Sequence, residues 1–290
     1  MSFVDVRGLR LHFQEWGSPV SEAAATVVLV HGLGSSCHIW DLVGPLLAER
    51  SNYVVALDQR GHGESDQPDT GYDFESIVAD LDGFVDALGL TKPAVLVGHS
   101  WGASVVLHFA VAHANRVAGI ALVDGGTGSP GERWTWSEAA TRLRPPDLDG
   151  IKWTELYQRM LSNNPAYADP RVEAVGRSLF HVDGEGLVHR RFTIPNHMQI
   201  VRAMWEQRPA NLLPHVQCPI LLLPARQSTE ASEMASGKQA AVARALELQL
   251  RARVRWFENT IHDVPLQRPE ELASELSAFV DQALQAGARS

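Results

Sequence analysis

The chain is poor in cysteine, in basic charge and in long apolar stretches, and each shortage excludes a class of protein. Its 290 residues include two cysteines, Cys37 and Cys218, which lie too far apart in the sequence to predict a disulfide framework or a zinc site. The net charge of −9 argues against nucleic acid as a partner, because binding nucleic acid requires a basic surface. No apolar run approaches the length of a membrane span, and no charged leader precedes an apolar segment at the N-terminus. We therefore expect a soluble, cytoplasmic protein with no membrane partner.

What the chain does contain is a series of short apolar runs separated by segments with helical spacing. An apolar content of 45% in a chain of this length is enough for one large α/β core. Continuous apolar runs predict strands that are covered on both faces, as in a parallel sheet: residues 26–30, 53–57, 94–97, 118–123 and 220–223. Residues 3–6 and 9–16 instead alternate apolar and polar side chains around Arg7-Gly8, which predicts an antiparallel hairpin at one edge of the sheet.

The strand pattern stops between residues 127 and 213. This stretch is rich in Trp, Arg and Pro and predicts helical pieces, at residues 153–161 and 196–207, but no strands. We interpret residues 127–213 as a helical cap inserted into a core that is formed by residues 1–126 and 214–290. A cap of this kind covers a site and lines its pocket, and its large apolar residues are the candidates for the pocket walls: Trp134, Trp136, Phe180, Met198 and Trp205.

The most informative stretch carries the pentapeptide Gly98-His99-Ser100-Trp101-Gly102. It follows an apolar strand and precedes residues that favour a helix, which is the context that a nucleophile elbow requires. In such a tight turn the residue at the apex has a strained backbone, and glycines at both ends let neighbouring backbone pass close. Ser100 is therefore our candidate nucleophile.

Two loops before the elbow contain candidate supporting residues. The loop His31-Gly32-Leu33-Gly34 follows a buried strand, and the backbone N–H of Leu33 is a candidate donor for an oxyanion hole. We expect His31 to orient this loop rather than to transfer protons. Asp58 and Arg60 lie in a second glycine-rich loop, where ion pairing and backbone hydrogen bonds are the simpler interpretation of their charges.

These motifs and the late His262 follow one another in an order that resembles the α/β-hydrolase fold superfamily, over nearly the whole chain outside the cap. The resemblance implies a mostly parallel, eight-stranded sheet with helices on both faces. It also implies that Ser100 is the nucleophile, that His262 is the general base, and that the N–H groups of Leu33 and Trp101 form the oxyanion hole, with no metal and no cofactor. His262 lies after the last apolar strand and before the last predicted helix, where this fold places its histidine.

The acid of the triad is where the sequence departs from the commonest pattern of the superfamily. That pattern has an Asp a few residues beyond the strand at 220–223, but Ser228 occupies the position, and a serine does not stabilise an imidazolium as a carboxylate does. We favour Asp124, at the end of the strand that follows the elbow helix, where haloalkane dehalogenases and some lipases of the superfamily carry their acid. The alternatives are Glu230, Asp263 and a triad without an acid.

The identity of the nucleophile limits the reactions that the protein could catalyse. Members of the superfamily that open epoxides or cleave carbon–halogen bonds use an Asp at the apex of the elbow, whereas a serine favours acyl transfer. We therefore expect a serine hydrolase that acts on a small ester or lactone. Carbon–carbon bond hydrolases, thioesterases, amidases and perhydrolases share the same triad and remain open, as does a binding protein that has kept the fold and lost turnover.

Overall fold

The computed structural model describes residues 2–227 and 232–287. Within them the strands are β1 Ser2–Val6, β2 Leu9–Gly17, β3 Thr26–Val30, β4 Tyr53–Leu57, β5 Ala94–His99, β6 Val117–Val123, β7 Phe180–Val182, β8 Val188–Arg190, β9 Ile220–Leu223, β10 Ala225–Arg226, β11 Ala252–Val254 and β12 Phe257–Glu258.

The α-helices of the same residues are α1 Gly44–Ala48, α2 Phe74–Ala87, α3 Trp101–Ala112, α4 Trp136–Arg142, α5 Trp153–Asn163, α6 Pro170–Ser178, α7 Ile194–Glu206, α8 Pro209–Leu212, α9 Ser232–Leu248, α10 Val264–Gln267 and α11 Pro269–Gly287. Short 3-10 turns lie at Cys37–Trp40, Ala114–Arg116, Pro130–Glu132, Pro165–Ala168 and Leu213–His215. No helix among the residues described is both long and apolar enough to cross a membrane.

Eight strands form one sheet in the order β1-β2-β4-β3-β5-β6-β9-β11. The hairpin β1–β2 is antiparallel and joins β4 in antiparallel register, and every other pair in this sheet is parallel. The structure therefore confirms the predicted α/β fold with a mostly parallel sheet of eight strands. Because the parallel strands end at the same edge, the loops after β3, β5, β6 and β9 meet there.

The central strands of the sheet are buried on both faces, which explains why they are continuous apolar runs. Along β3, Val28 and Val30 belong to the core on one face, and Val27 and Leu29 belong to the core on the other. Helices α2 and α3 contribute to the first core, and α1 and α11 to the second. Side chains that alternate between two apolar layers leave no solvent-facing position for a polar residue.

Three segments differ from the sequence-based prediction. The helical spacing of residues 39–50 predicts one helix, but these residues form a 3-10 turn and the short α1, because Pro45 is tolerated only in the first turn of a helix and so starts a new one. The sequence predicts one last strand at residues 254–257, but the structure has two short strands there: β11 pairs with β9, and β12 pairs with β10. The stretch 127–213, predicted to lack strands, contains the antiparallel hairpin β7–β8.

Candidate active site

The elbow at Ser100 has the strained geometry that its sequence predicts. Ser100 lies between β5 and α3 with φ 55° and ψ −118°, a conformation that costs a non-glycine residue roughly 1–3 kcal/mol. A β-carbon at Gly102 would overlap the carbonyl oxygen of Val30, so only glycine lets α3 approach the end of β3 so closely. The turn leaves the Ser100 side chain half-buried at the strand-end edge of the sheet.

His262 and Asp124 complete a hydrogen-bonded chain with Ser100. Nε2 of His262 lies 2.8 Å from Oγ of Ser100, and Nδ1 of His262 lies 2.6 Å from Oδ2 of Asp124. An ionised carboxylate only accepts hydrogen bonds, so Nδ1 carries the imidazole proton and Nε2 is free to accept the hydroxyl proton. The structure thus brings together the three side chains predicted as nucleophile, base and acid.

Asp124 is held ionised by its surroundings. The residue directly follows β6 with φ 43°, and its side chain is only 4% exposed. Its Oδ1 accepts a hydrogen bond from the backbone N–H of Ala225 at 2.9 Å and lies 3.1 Å from Nζ of Lys238. Burial raises the pKa of Asp124, but the hydrogen bond and charge of His262 together with the charge of Lys238 lower it to about 2.

The same carboxylate makes His262 a stronger base. Partial burial lowers the pKa of His262, but the hydrogen bond and the charge of Asp124 raise it by more, so that it lies above the ordinary value of an imidazole. The His262 side chain is 53% exposed, so a reacting group can reach it from solvent.

Asp263, one of the alternative acids, does not take this position. Both ring nitrogens of His262 are occupied, by Ser100 and by Asp124, which leaves none for the neighbouring Asp263. Glu230 and Ser228 lie outside the described residues. The strand end that carries the acid in the commonest pattern, after β9, instead supplies the Ala225 N–H that supports Asp124.

Both predicted oxyanion donors lie next to the nucleophile. Trp101 is the first residue of α3, where the backbone N–H has no partner inside the helix. The N–H of Leu33 has no hydrogen-bond acceptor among residues 2–227 and 232–287. A β-carbon at Gly32 would lie 2.9 Å from Cβ of Ser100, so the loop that carries Leu33 runs directly against the serine. Two N–H groups at this edge that have no acceptor among the described residues can stabilise a developing negative charge.

His31 and Arg60 hold the loops next to the elbow in place. Nδ1 of His31 donates to the carbonyl of Gly32 at 2.8 Å, and its Nε2 accepts from the N–H of Gln59 at 3.1 Å, so His31 joins the Leu33 loop to the loop after β4. Arg60 pairs with the buried Asp80. These contacts match the supporting roles expected for His31 and Arg60.

His12, Cys37 and Asp58 are the group of possible metal ligands that the described residues bring within 4.8 Å of one another. The Asp58 carboxylate already accepts the N–H groups of Cys37 and Glu64, at 2.6 and 3.0 Å, and Nδ1–H of His12, at 2.8 Å. The Asp58 carboxylate is therefore satisfied by protein donors, and these hydrogen bonds fix the loop after β4.

The large apolar residues predicted as pocket walls lie in different parts of residues 127–213. Trp136 and Trp205 form an edge-to-face pair with ring centroids 6.0 Å apart, and Nε1 of Trp205 donates to the carbonyl of Trp134 at 2.8 Å. Phe180 packs on a small cluster around Trp153. Met198 lies half-buried on α7.

Phe192, which no sequence motif marks as a site residue, lies within residues 127–213 and packs beside the elbow. Its ring stacks on His62 at 3.9 Å between centroids, and His62 in turn stacks on Trp101 at 5.7 Å. The residue lies just before α7 with no periodic pattern around it, so no local signal marks it.

A cavity of about 780 Å³ lies on the Asp124 side of the site. Its wall combines polar and charged groups, among them Asp124, His262 and Lys238, with apolar side chains such as Leu122 and Val242. None of the five large apolar residues named above lines it.

Comparison with known proteins gives the family. The sequence profile of the alpha/beta hydrolase family matches residues 27–275. Epoxide hydrolase A of Mycobacterium tuberculosis is 42% identical over 122 residues, which are 41% of this chain and 37% of that protein. The match thus spans little more than a third of the length of this curated relative.

Among solved structures, E-2-(acetamidomethylene)succinate hydrolase superposes with a TM-score of 0.77 at 22% identity, covering 97% of this chain and 98% of its own. The enol-lactonase from Burkholderia xenovorans LB400 superposes with a TM-score of 0.72 at 20% identity, covering 98% and 100%. At these identities the likeness establishes the fold. Together with the profile match over most of the sequence, it shows that this chain belongs to the alpha/beta hydrolase family.

Proposed function

We propose that the protein is a serine hydrolase that cleaves a carboxylic ester or lactone through an acyl-enzyme intermediate. The observation that carries the proposal is the continuous hydrogen-bonded chain from Oγ of Ser100 through His262 to Asp124. In this mechanism His262 takes the hydroxyl proton as Ser100 attacks the carbonyl carbon, and the N–H groups of Leu33 and Trp101 stabilise the tetrahedral oxyanion. His262 then protonates the leaving alcohol, and a water molecule activated by the same imidazole releases the acid.

Epoxide opening is the second candidate, because the curated relative at 42% identity is an epoxide hydrolase. The residue at the apex of the elbow argues against it. A carboxylate that attacks an epoxide forms an ester, which water can cleave at its carbonyl carbon. A serine that attacks an epoxide forms an ether, which has no carbonyl for water to attack, so the enzyme would remain alkylated.

We further propose that residues 127–213 act as a cap over this site. Three contacts support the proposal, since each joins the insertion to the core near the elbow. Phe192 stacks on His62, Nε2 of Gln207 donates to Oγ of Ser104 at 3.0 Å, and Arg191 pairs with Glu64 at 2.8 Å. A cap fixed at these points would shape the entrance for a small ester-like substrate.

The experiment that tests the function is titration with a fluorophosphonate, which labels only activated serines. We expect one adduct per chain, on Ser100, and none in Ser100→Ala. A parent protein that gives no adduct would remove the enzyme interpretation and favour a non-catalytic relative. A panel of p-nitrophenyl esters, lactones, thioesters, amides and styrene oxide then separates the reactions. Turnover of the epoxide without turnover of any ester would contradict the proposal.

A further inference from the structure

His99, the residue before the nucleophile, is a buried histidine with a single hydrogen bond. Its side chain lies in the interior and the residue is 3% exposed. Nε2 lies 2.9 Å from the backbone carbonyl oxygen of His262, and Nδ1 has no hydrogen-bond partner among the described residues. The ring centroids of His99 and His262 lie 4.8 Å apart.

The direction of this hydrogen bond is fixed by its partner. A carbonyl only accepts, so Nε2 of His99 carries the proton. Burial and the neighbouring His262 lower the pKa of His99 to about 4, and His99 therefore stays neutral at the pH values where an imidazole base works. The donor remains in place when His262 itself gains a proton.

The loop that carries His262 has few other ties to the elbow. The N–H of Ile261 donates to Oε1 of Gln267, and the N–H of Thr260 donates to the carbonyl of Arg226. These bonds connect the loop to α10 and β10, away from the nucleophile. In the part of the chain that the structure describes, only the His99 bond and the Ser100–His262 bond itself connect the loop with the elbow.

From these contacts we propose that His99 is a positioning residue: it ties the backbone of the general base to the residue before the nucleophile and so sets the Ser100–His262 distance. The inference rests on the proposed function of the triad. A leucine would fill the same space without leaving a buried nitrogen unpaired, and an unpaired buried polar atom reduces stability. The imidazole thus contributes to the geometry of the site at the expense of packing.

Three substitutions separate the hydrogen bond from the volume of the side chain. His99→Gln keeps a donor near the position of Nε2, His99→Asn carries the same amide one bond too short to reach, and His99→Leu has no donor. His108→Leu is the matched control, since His108 lies on α3 and stacks on Phe74 at 4.0 Å between centroids, where it has no contact with the triad.

We expect His99→Leu and His99→Asn to lower kcat for p-nitrophenyl acetate and the rate of fluorophosphonate labelling by roughly 10- to 100-fold, because small misplacements of a catalytic group have effects of that size. KM should change little, and the melting temperature of His99→Leu should equal or exceed that of the parent. His99→Gln should retain most of the activity, and His108→Leu all of it.

Two results would overturn the inference. One is a labelling rate in His99→Asn and His99→Leu equal to that of the parent, and the other is a loss of activity in His99→Gln as large as in His99→Asn. If His99→Leu does not fold, the two amide variants decide the question alone. Failure of the proposed function is distinguishable, since in that case the parent protein itself would not react with the fluorophosphonate.

Discussion

Replacing Asp124 with Asn changes the charge of the triad while keeping the shape of the side chain. In the parent, Oδ2 of Asp124 lies 2.6 Å from Nδ1 of His262, which places the centres of the two charges about 4 Å apart when the imidazole is protonated. For a partly exposed pair the effective dielectric constant is about 20, and at that distance the attraction between the two charges is then about 4 kcal/mol. Since each 1.36 kcal/mol is tenfold in rate, losing this attraction alone slows acylation about 10³-fold.

A change in the tautomer of His262 slows acylation further. An asparagine amide donates a hydrogen bond to Nδ1 and so moves the imidazole proton to Nε2, where it blocks acceptance of the Ser100 proton; in serine proteases this change costs about 10⁴ in kcat. We therefore expect Asp124→Asn to lower the acylation rate by about 10³- to 10⁴-fold. The value of KM should change much less.

The assay is the pre-steady-state release of p-nitrophenol from p-nitrophenyl acetate. Glu230→Gln serves as the matched control, because it removes the carboxylate of the alternative acid in the same way. We expect the control to react like the parent. A fully active Asp124→Asn together with an inactive Glu230→Gln would show that the acid has been assigned to the wrong residue.

Three further changes test other parts of the structure. Lys238→Gln removes a positive charge that opposes protonation of His262, so the acid limb of the pH profile of kcat/KM should move to higher pH; an unchanged limb contradicts this. Gly102→Ala forces a β-carbon against the Val30 carbonyl and should lower the free energy of unfolding by about 1–3 kcal/mol, whereas parent-like urea denaturation would argue against that close approach. Phe192→Ala removes the ring stacked on His62 and should lower the free energy of unfolding by about 3 kcal/mol. A stability equal to that of the parent would show that this ring does not anchor residues 127–213.

The sequence predicts the strands of the sheet and the elbow well, because both depend on residues that are close together in the chain. An apolar run such as residues 94–97 has few structures open to it other than a buried strand, and the glycines around Ser100 are dictated by the backbone that passes them. The pairing of His262 with Ser100 joins residues 162 positions apart, and it followed from the order of the motifs, not from any local pattern.

What the sequence left open depends on contacts between distant segments. Asp124 was one of three candidate acids, and the choice among them needs the position of β6 beside β5, which no single segment specifies. The stacking of Phe192 on His62 and the bond from His99 to the His262 carbonyl likewise arise only when residues 127–213 and the last loop are folded against the sheet and its helices. The division of the last strand follows from a change of partner, from β9 to β10.

The most direct test of the mechanism is to trap its covalent intermediate. Protein mixed with p-nitrophenyl acetate and quenched in acid during turnover would be digested and analysed by mass spectrometry. We predict one acetyl group on the peptide that contains Ser100, and none on the same peptide from Ser100→Ala. Ester turnover with no acetyl group on Ser100, or with the group on another side chain, would contradict the assignment of Ser100 as the nucleophile.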